Sequence, residues 1–95
     1  MKILAIERDL PNAQPDDFKN HLRAEAVRVW ELQQADVLRE IYFRQDRSEA
    51  VLILECADIK EARRILDTLP LVQAGLIAFD LIPLKPYPGL SRLFA

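Results

Sequence analysis

An α+β fold in the order β-α-β-β-α-β is predicted from three observations. Two β-rich runs, Val37–Arg44 and Ala50–Cys56, flank a polar turn at Gln45–Glu49 and read as a hairpin. A helical pattern lies on each side of that hairpin. A single strand-like run opens the chain at Lys2–Arg8, and another closes it at Leu76–Ile82. This is the split βαβ, or ferredoxin-like, order.

Each element has a local reason. Lys2–Arg8 (KILAIER) is bounded by the turn-forming Asp9-Leu10-Pro11-Asn12. Pro15-Asp16-Asp17 opens the first helix, because proline suits a first turn and acids complement the positive end of the helix dipole. Phe18, Leu22, Val29 and Leu32 form its stripe, and it is expected to run to about Ala35. Asp58 and Glu61 are spaced as a capping box before a second stripe of Ile59, Ala62, Ile65, Leu66 and Leu69, ended by Pro70. Gln73-Ala74-Gly75 then turns into the last strand. The chain is read as one domain over residues 1–95, with 83–95 an extended tail rich in Pro and carrying Leu90, Leu93 and Phe94.

Two helices cover only one face of a four-stranded antiparallel sheet. Side chains alternate faces along a strand. With Arg44 opposite Ala50, Phe43 faces Val51, Ile41 faces Ile53, and Arg39 faces Glu55. The uncovered face would then be apolar, and its expected cover is a second copy of the chain with the tail reaching across. A one-residue slip of the hairpin would expose Glu40 and Tyr42 to the enclosed space instead.

Composition narrows the function. Hydrophobic residues make up 51% and charged residues 29%, which fits a folded chain. Net charge is −2 with no basic run, so no nucleic-acid partner is expected. No apolar run nears the roughly 20 residues of a membrane span. The first apolar run stops at Glu7-Arg8, unlike a signal peptide, and a cytoplasmic location is expected. One Cys and one His give no zinc cluster. Cys56 lies beside Leu52 and Leu54 on its strand and reads as a small hydrophobe. Two glycines provide no phosphate loop, and a single histidine gives no serine-triad spacing. No cofactor is expected.

The candidate catalytic residues are Arg39, Glu55 and Glu25. In one reading Arg39 holds a substrate carboxylate or an enolate oxygen and Glu55 moves a proton; in the other the two form a structural pair that fixes register. Ile41, Phe43 and Ile53 would line the substrate space with Arg39. Glu25 falls inside the stripe of the first helix. Burial there raises its pKa and makes it a candidate base, while pairing with Arg28 or Lys19 is the bland alternative. His21 lies one turn before Glu25, as a relay or a surface pair. Tyr42 is read as packing under a helix, and Asp80 as facing the cavity or a strand edge.

Several segments resemble a known family: Glu31-Leu32-Gln33, Arg39-Glu40-Ile41-Tyr42-Phe43-Arg44, Leu54-Glu55-Cys56, Leu69-Pro70-Leu71-Val72 and Ile82-Pro83-Leu84. On these the chain resembles the muconolactone isomerase-like family of dimeric α/β-barrel proteins over nearly its whole length. The resemblance implies a dimer or larger ring. It also implies a metal-free, cofactor-free proton shift alpha to a lactone carbonyl, with Arg39 and Glu55 at a basic and an acidic position of the family. Leu22 and Ala26 depart from it, standing where lysines are expected. The expected function is thus a cofactor-free isomerase acting on a small carboxylated or lactone substrate. A non-catalytic binding or assembly module is the alternative.

Overall fold

The structure is a computed structural model and describes residues 1–94; Ala95, the end of the expected tail, lies outside them. Four strands, β1 (Lys2–Asp9), β2 (Leu38–Phe43), β3 (Ala50–Glu55) and β4 (Ile77–Pro83), form one antiparallel sheet in the order β2-β3-β1-β4. With the helices between β1 and β2 and between β3 and β4, this is the expected ferredoxin-like α+β topology. None of the helices is long and apolar enough to cross a membrane, among the described residues.

Period-two alternation sets the layers. Ile3, Ala5, Leu52, Leu54, Ile77 and Phe79 are buried on the helix-covered face and form the core with Leu32, Leu66, Leu69 and Leu71. Leu4, Ile6, Val51, Ile53 and Ala78 alternate with them and are half-buried on the other face, which no helix covers.

The helical layer departs from the simplest reading. The first helical region is α1 (Pro15–Phe18), a 3-10 turn (Lys19–His21) and α2 (Leu22–Gln34), rather than one continuous helix. The Asp17 carboxylate accepts the N–H of Gln14 at 2.9 Å, which fixes the entry. Asp36 (φ 60°) ends α2 in the left-handed region, with the N–H of Val37 bonded to the carbonyl of Leu32 at 3.1 Å. In α3 (Ile59–Leu66), Asp58 accepts from the N–H of Glu61 at 2.8 Å, as the capping box requires. Glu61 reaches back one residue further, to the N–H of Ala57. α3 stops at Leu66, short of the expected Leu69 and Pro70, and Pro70 instead opens a short α4 (Pro70–Gln73), whose first turn suits a proline. Gly75 (φ 75°) closes α4 as Asp36 closes α2.

The hairpin register corrects the expectation by one residue. Phe43 pairs with Ala50, Ile41 with Leu52 and Glu40 with Ile53, while Arg44 donates its N–H to the carbonyl of Glu49. Arg39 is the extra residue of a bulge between Leu38 and Glu40. The physical reason is the core: this register puts Leu38, Ile41 and Phe43 on the same face as Leu54, Leu52 and Ala50. Tyr42 therefore lies on the uncovered face, not under a helix, and its hydroxyl donates to Glu40 at 2.8 Å. Asp80 shares that face and lies 3.3 Å from Arg8.

Leu84 makes the last bond to the sheet, donating its N–H to the carbonyl of Lys2. The tail then leaves the body, and residues Pro88–Phe94 wind into 3-10 turns instead of staying extended. The radius of gyration is 15.4 Å, against about 12 Å for a compact chain of this length. Leu90, Leu93 and Phe94 stand exposed on the tail.

Candidate functional site

A cavity of about 790 Å³ lies between the helices and the covered sheet face. That volume is in the range of ligand pockets. Phe18, Leu22, Ala26, Val29 and Trp30 wall it from the helices; Ile41, Phe43, Ala50, Leu52 and Phe79 line its sheet side. Three carboxylates, Glu7, Asp9 and Glu25, enter this largely apolar space.

Glu7 is held on β1 between Ala5 and Asp9, and its residue is only 7% exposed. Its Oε1 accepts the N–H of Ala50 at 3.1 Å. Burial raises its pKa from the ordinary 4.5 to about 7, with a hydrogen bond to the Asp9 carboxyl and the negative charges of Asp9 and Glu49 acting in the same direction; the Ala50 bond opposes them. Glu7 is thus poised to bind or release a proton near neutrality. Glu49 is buried beside the site, accepting the N–H of Asp9 at 2.9 Å, and lies 3.7 Å from Arg47 and 3.9 Å from Arg44. It ties the hairpin turn to the end of β1.

Glu25 enters from α2. Its Oε1 accepts the N–H of Leu71, in the first turn of α4, at 2.9 Å. Burial raises its pKa, against the lowering effects of the Leu71 N–H and of His21. The surface pairing with Arg28 or Lys19 is not formed. Arg28 bonds Thr68 and Glu31, and Lys19 lies 3.0 Å from Asp16.

The sequence candidates separate into two groups. Glu25, Ile41 and Phe43 line the cavity. Ile53, Glu55 and Arg39 do not: Ile53 is on the uncovered face and Arg39 sits in the bulge. The expected direct Arg39–Glu55 pair is not formed. Arg39 donates to the carbonyl of Asp36 at 2.6 Å, and Glu55 accepts from the N-terminal ammonium at 2.7 Å. The bulge and the shifted register remove the cross-strand opposition that the pair needed. That ammonium bond, helped by the positive charge of Arg39, lowers the pKa of Glu55. Cys56 is buried, and desolvation raises its thiol pKa.

Glu7 is the residue that sequence reasoning missed. The signal was present: Ile3, Ala5 and Glu7 share one parity on β1, so an apolar alternation carries an acid into the core.

No protein-family model and no curated protein matches the chain. Solved structures do. Over 93% of this chain and 92% of the other, the fold superposes on muconolactone isomerase with a TM-score of 0.76 at 16% identity. Over 94% of this chain and 98% of the other, it superposes on 5-chloro-2-hydroxyhydroquinone dehydrochlorinase from Burkholderia phenoliruptrix AC1100, with a TM-score of 0.74 at 17% identity. That enzyme was solved in complex with 2,5-dihydroxybenzoquinone. The resemblance read from the sequence holds at the level of architecture: the chain has the ferredoxin-like fold of muconolactone isomerase and of this dehydrochlorinase.

Proposed function

We propose that the chain is a cofactor-free isomerase that shifts a proton alpha to the carbonyl of a small ring compound. One observation carries this reading: Glu7 and Glu25 enter the same apolar cavity from the sheet and from the helices, and burial raises the pKa of both. A carboxylate with a pKa near the working pH both accepts and returns a proton effectively. In the proposed step one carboxylate takes a proton from the carbon alpha to the carbonyl. The C–H electron pair moves into the conjugated system to give an enolate. A carboxyl group then returns a proton to the distal carbon of that system, so no atom or electron is gained or lost. Arg39 and Glu55 lie outside the cavity and take no part in this step. The fold shared with an isomerase and with an enzyme that holds a dihydroxylated quinone supports a cyclic carbonyl substrate. The test is the conversion of a β,γ-unsaturated five-membered lactone into its α,β-unsaturated isomer, followed by absorbance. The native protein is expected to accelerate it, and Glu7→Gln and Glu25→Gln to lose most of that acceleration. No acceleration by the native protein counts against the reading.

The same proposal makes the chain a homodimer. Half-buried Leu4, Ile6, Val51 and Ile53 form an uncovered sheet face, and the tail carries Leu90, Leu93 and Phe94 away from the body. Both features have an apolar cost in water that a second copy removes. They are also what supports the second reading, a non-catalytic binding or assembly module. That module would bind the same ring compounds without changing them.

A further inference from the structure

We propose that the cavity selects an uncharged ring and excludes its carboxylated counterpart. This rests on the reading of the cavity as the reaction site and narrows its substrate class. Among the described residues, those lining the cavity include Glu7, Asp9 and Glu25 but no Lys, Arg or His. On the helix wall, Leu22 and Ala26 bracket Glu25 and are apolar. The guanidiniums of the hairpin turn, Arg44 and Arg47, lie beside Glu49 and Asp46 instead of lining the space.

A carboxylate entering this cavity would give up water and meet no countercharge among the lining side chains; His21 acts on Glu25 from outside the lining. An unpaired charge in an apolar setting is strongly unfavourable, and neighbouring carboxylates add repulsion. An uncharged lactone or hydroxylated ring carbonyl has no such penalty. Its hydroxyl or C–H edges face acceptors, and its ring faces Phe18, Trp30 and Phe43. A protonated Glu7 supplies the donor that a ring carbonyl needs.

Trp30 is the single tryptophan and lines the cavity, so its fluorescence reports occupancy. The experiment titrates the full chain with γ-carboxymethylbutenolide and, separately, with its methyl ester, which has a similar shape and no charge. The ester is expected to bind at least about a hundredfold more tightly than the acid at neutral pH. Ala26→Lys, at an exposed position on the cavity wall, is expected to raise affinity for the acid about tenfold or more and so to narrow the ester's advantage over it. Equal or tighter binding of the acid by the native protein overturns the inference while leaving the proposed reaction standing. No gain for the acid in Ala26→Lys overturns the charge argument itself. Binding of neither compound overturns both the inference and the proposed reaction.

Discussion

The Glu25 carboxylate accepts the backbone N–H of Leu71 at 2.9 Å, joining the first helical region to the turn that follows the second. Pro70 has no N–H to offer at the start of α4, so the N–H of Leu71 is a free donor of that turn. One side chain thereby caps a helix start and faces a cavity.

Separating those two roles gives the first prediction. Glu25→Ala leaves the Leu71 donor unpaired and should lower stability by about 1–3 kcal/mol in urea denaturation. Glu25→Gln keeps an acceptor and should fall within about 1 kcal/mol of the native protein. Both variants should lose isomerisation. Equal stability losses in the two would show that the hydrogen bond is not what holds this junction.

The second prediction concerns Glu7 and pH. Its folded pKa, about 7, is raised above the ordinary 4.5. The folded chain therefore binds more protons than the unfolded one between those values, and stability falls as pH rises through that window. The penalty is absent below pH 4.5, complete above about pH 7, and on the order of 3 kcal/mol at 1.36 kcal/mol per unit. Glu7→Gln should flatten this part of the stability curve and be more stable than the native protein at pH 8. Carbon-13 NMR of the Glu7 carboxyl should show a midpoint close to neutrality; a midpoint near 4.5 would remove the reason to treat it as a base.

The third prediction concerns Arg39 and Glu55. A buried pair broken at one partner costs about 3–5 kcal/mol. Here Glu55 instead meets the N-terminal ammonium, with the two groups 38% and 42% exposed. Exposed pairs of this kind contribute about 0–1 kcal/mol. Glu55→Gln and Arg39→Ala should each shift the melting temperature by only a few degrees and leave cavity binding unchanged. A loss of several kcal/mol in either would mean that this end of the sheet is buried in the working assembly.

How much was legible in the sequence follows from these residues. Element order was readable because each boundary has a local chemical cause: Pro15 with its acids, Asp58 with Glu61, Gly75 after the last helical turn. Hairpin register was not, because Ile41 and Phe43 are apolar in either register and the bulge at Arg39 is invisible until Leu38 must meet Leu54. Glu25 was legible from helical spacing, whereas its partner at Leu71 depends on a tertiary contact. Glu7 was hidden by its own charge at the end of a strand, although its parity matched the core.

The fourth prediction concerns self-association. Ile53→Lys on the uncovered face, or Leu93→Ser with Phe94→Ser on the tail, should convert the proposed dimer to monomer in sedimentation at micromolar concentration. Each acts on a different part of the interface, so a loss in only one locates the contact. A native protein that sediments as a monomer contradicts the second-copy cover.

The central claim is that the cavity carboxylates exchange a proton with ring carbon. Its most direct measurement is solvent deuterium incorporation into γ-methylbutenolide, followed by proton NMR in heavy water with and without protein. The native chain should speed loss of the signal at the exchanging ring carbon, and Glu7→Gln combined with Glu25→Gln should return the rate to the uncatalysed background. Exchange that persists in the double variant, or is absent from the native chain, contradicts the account.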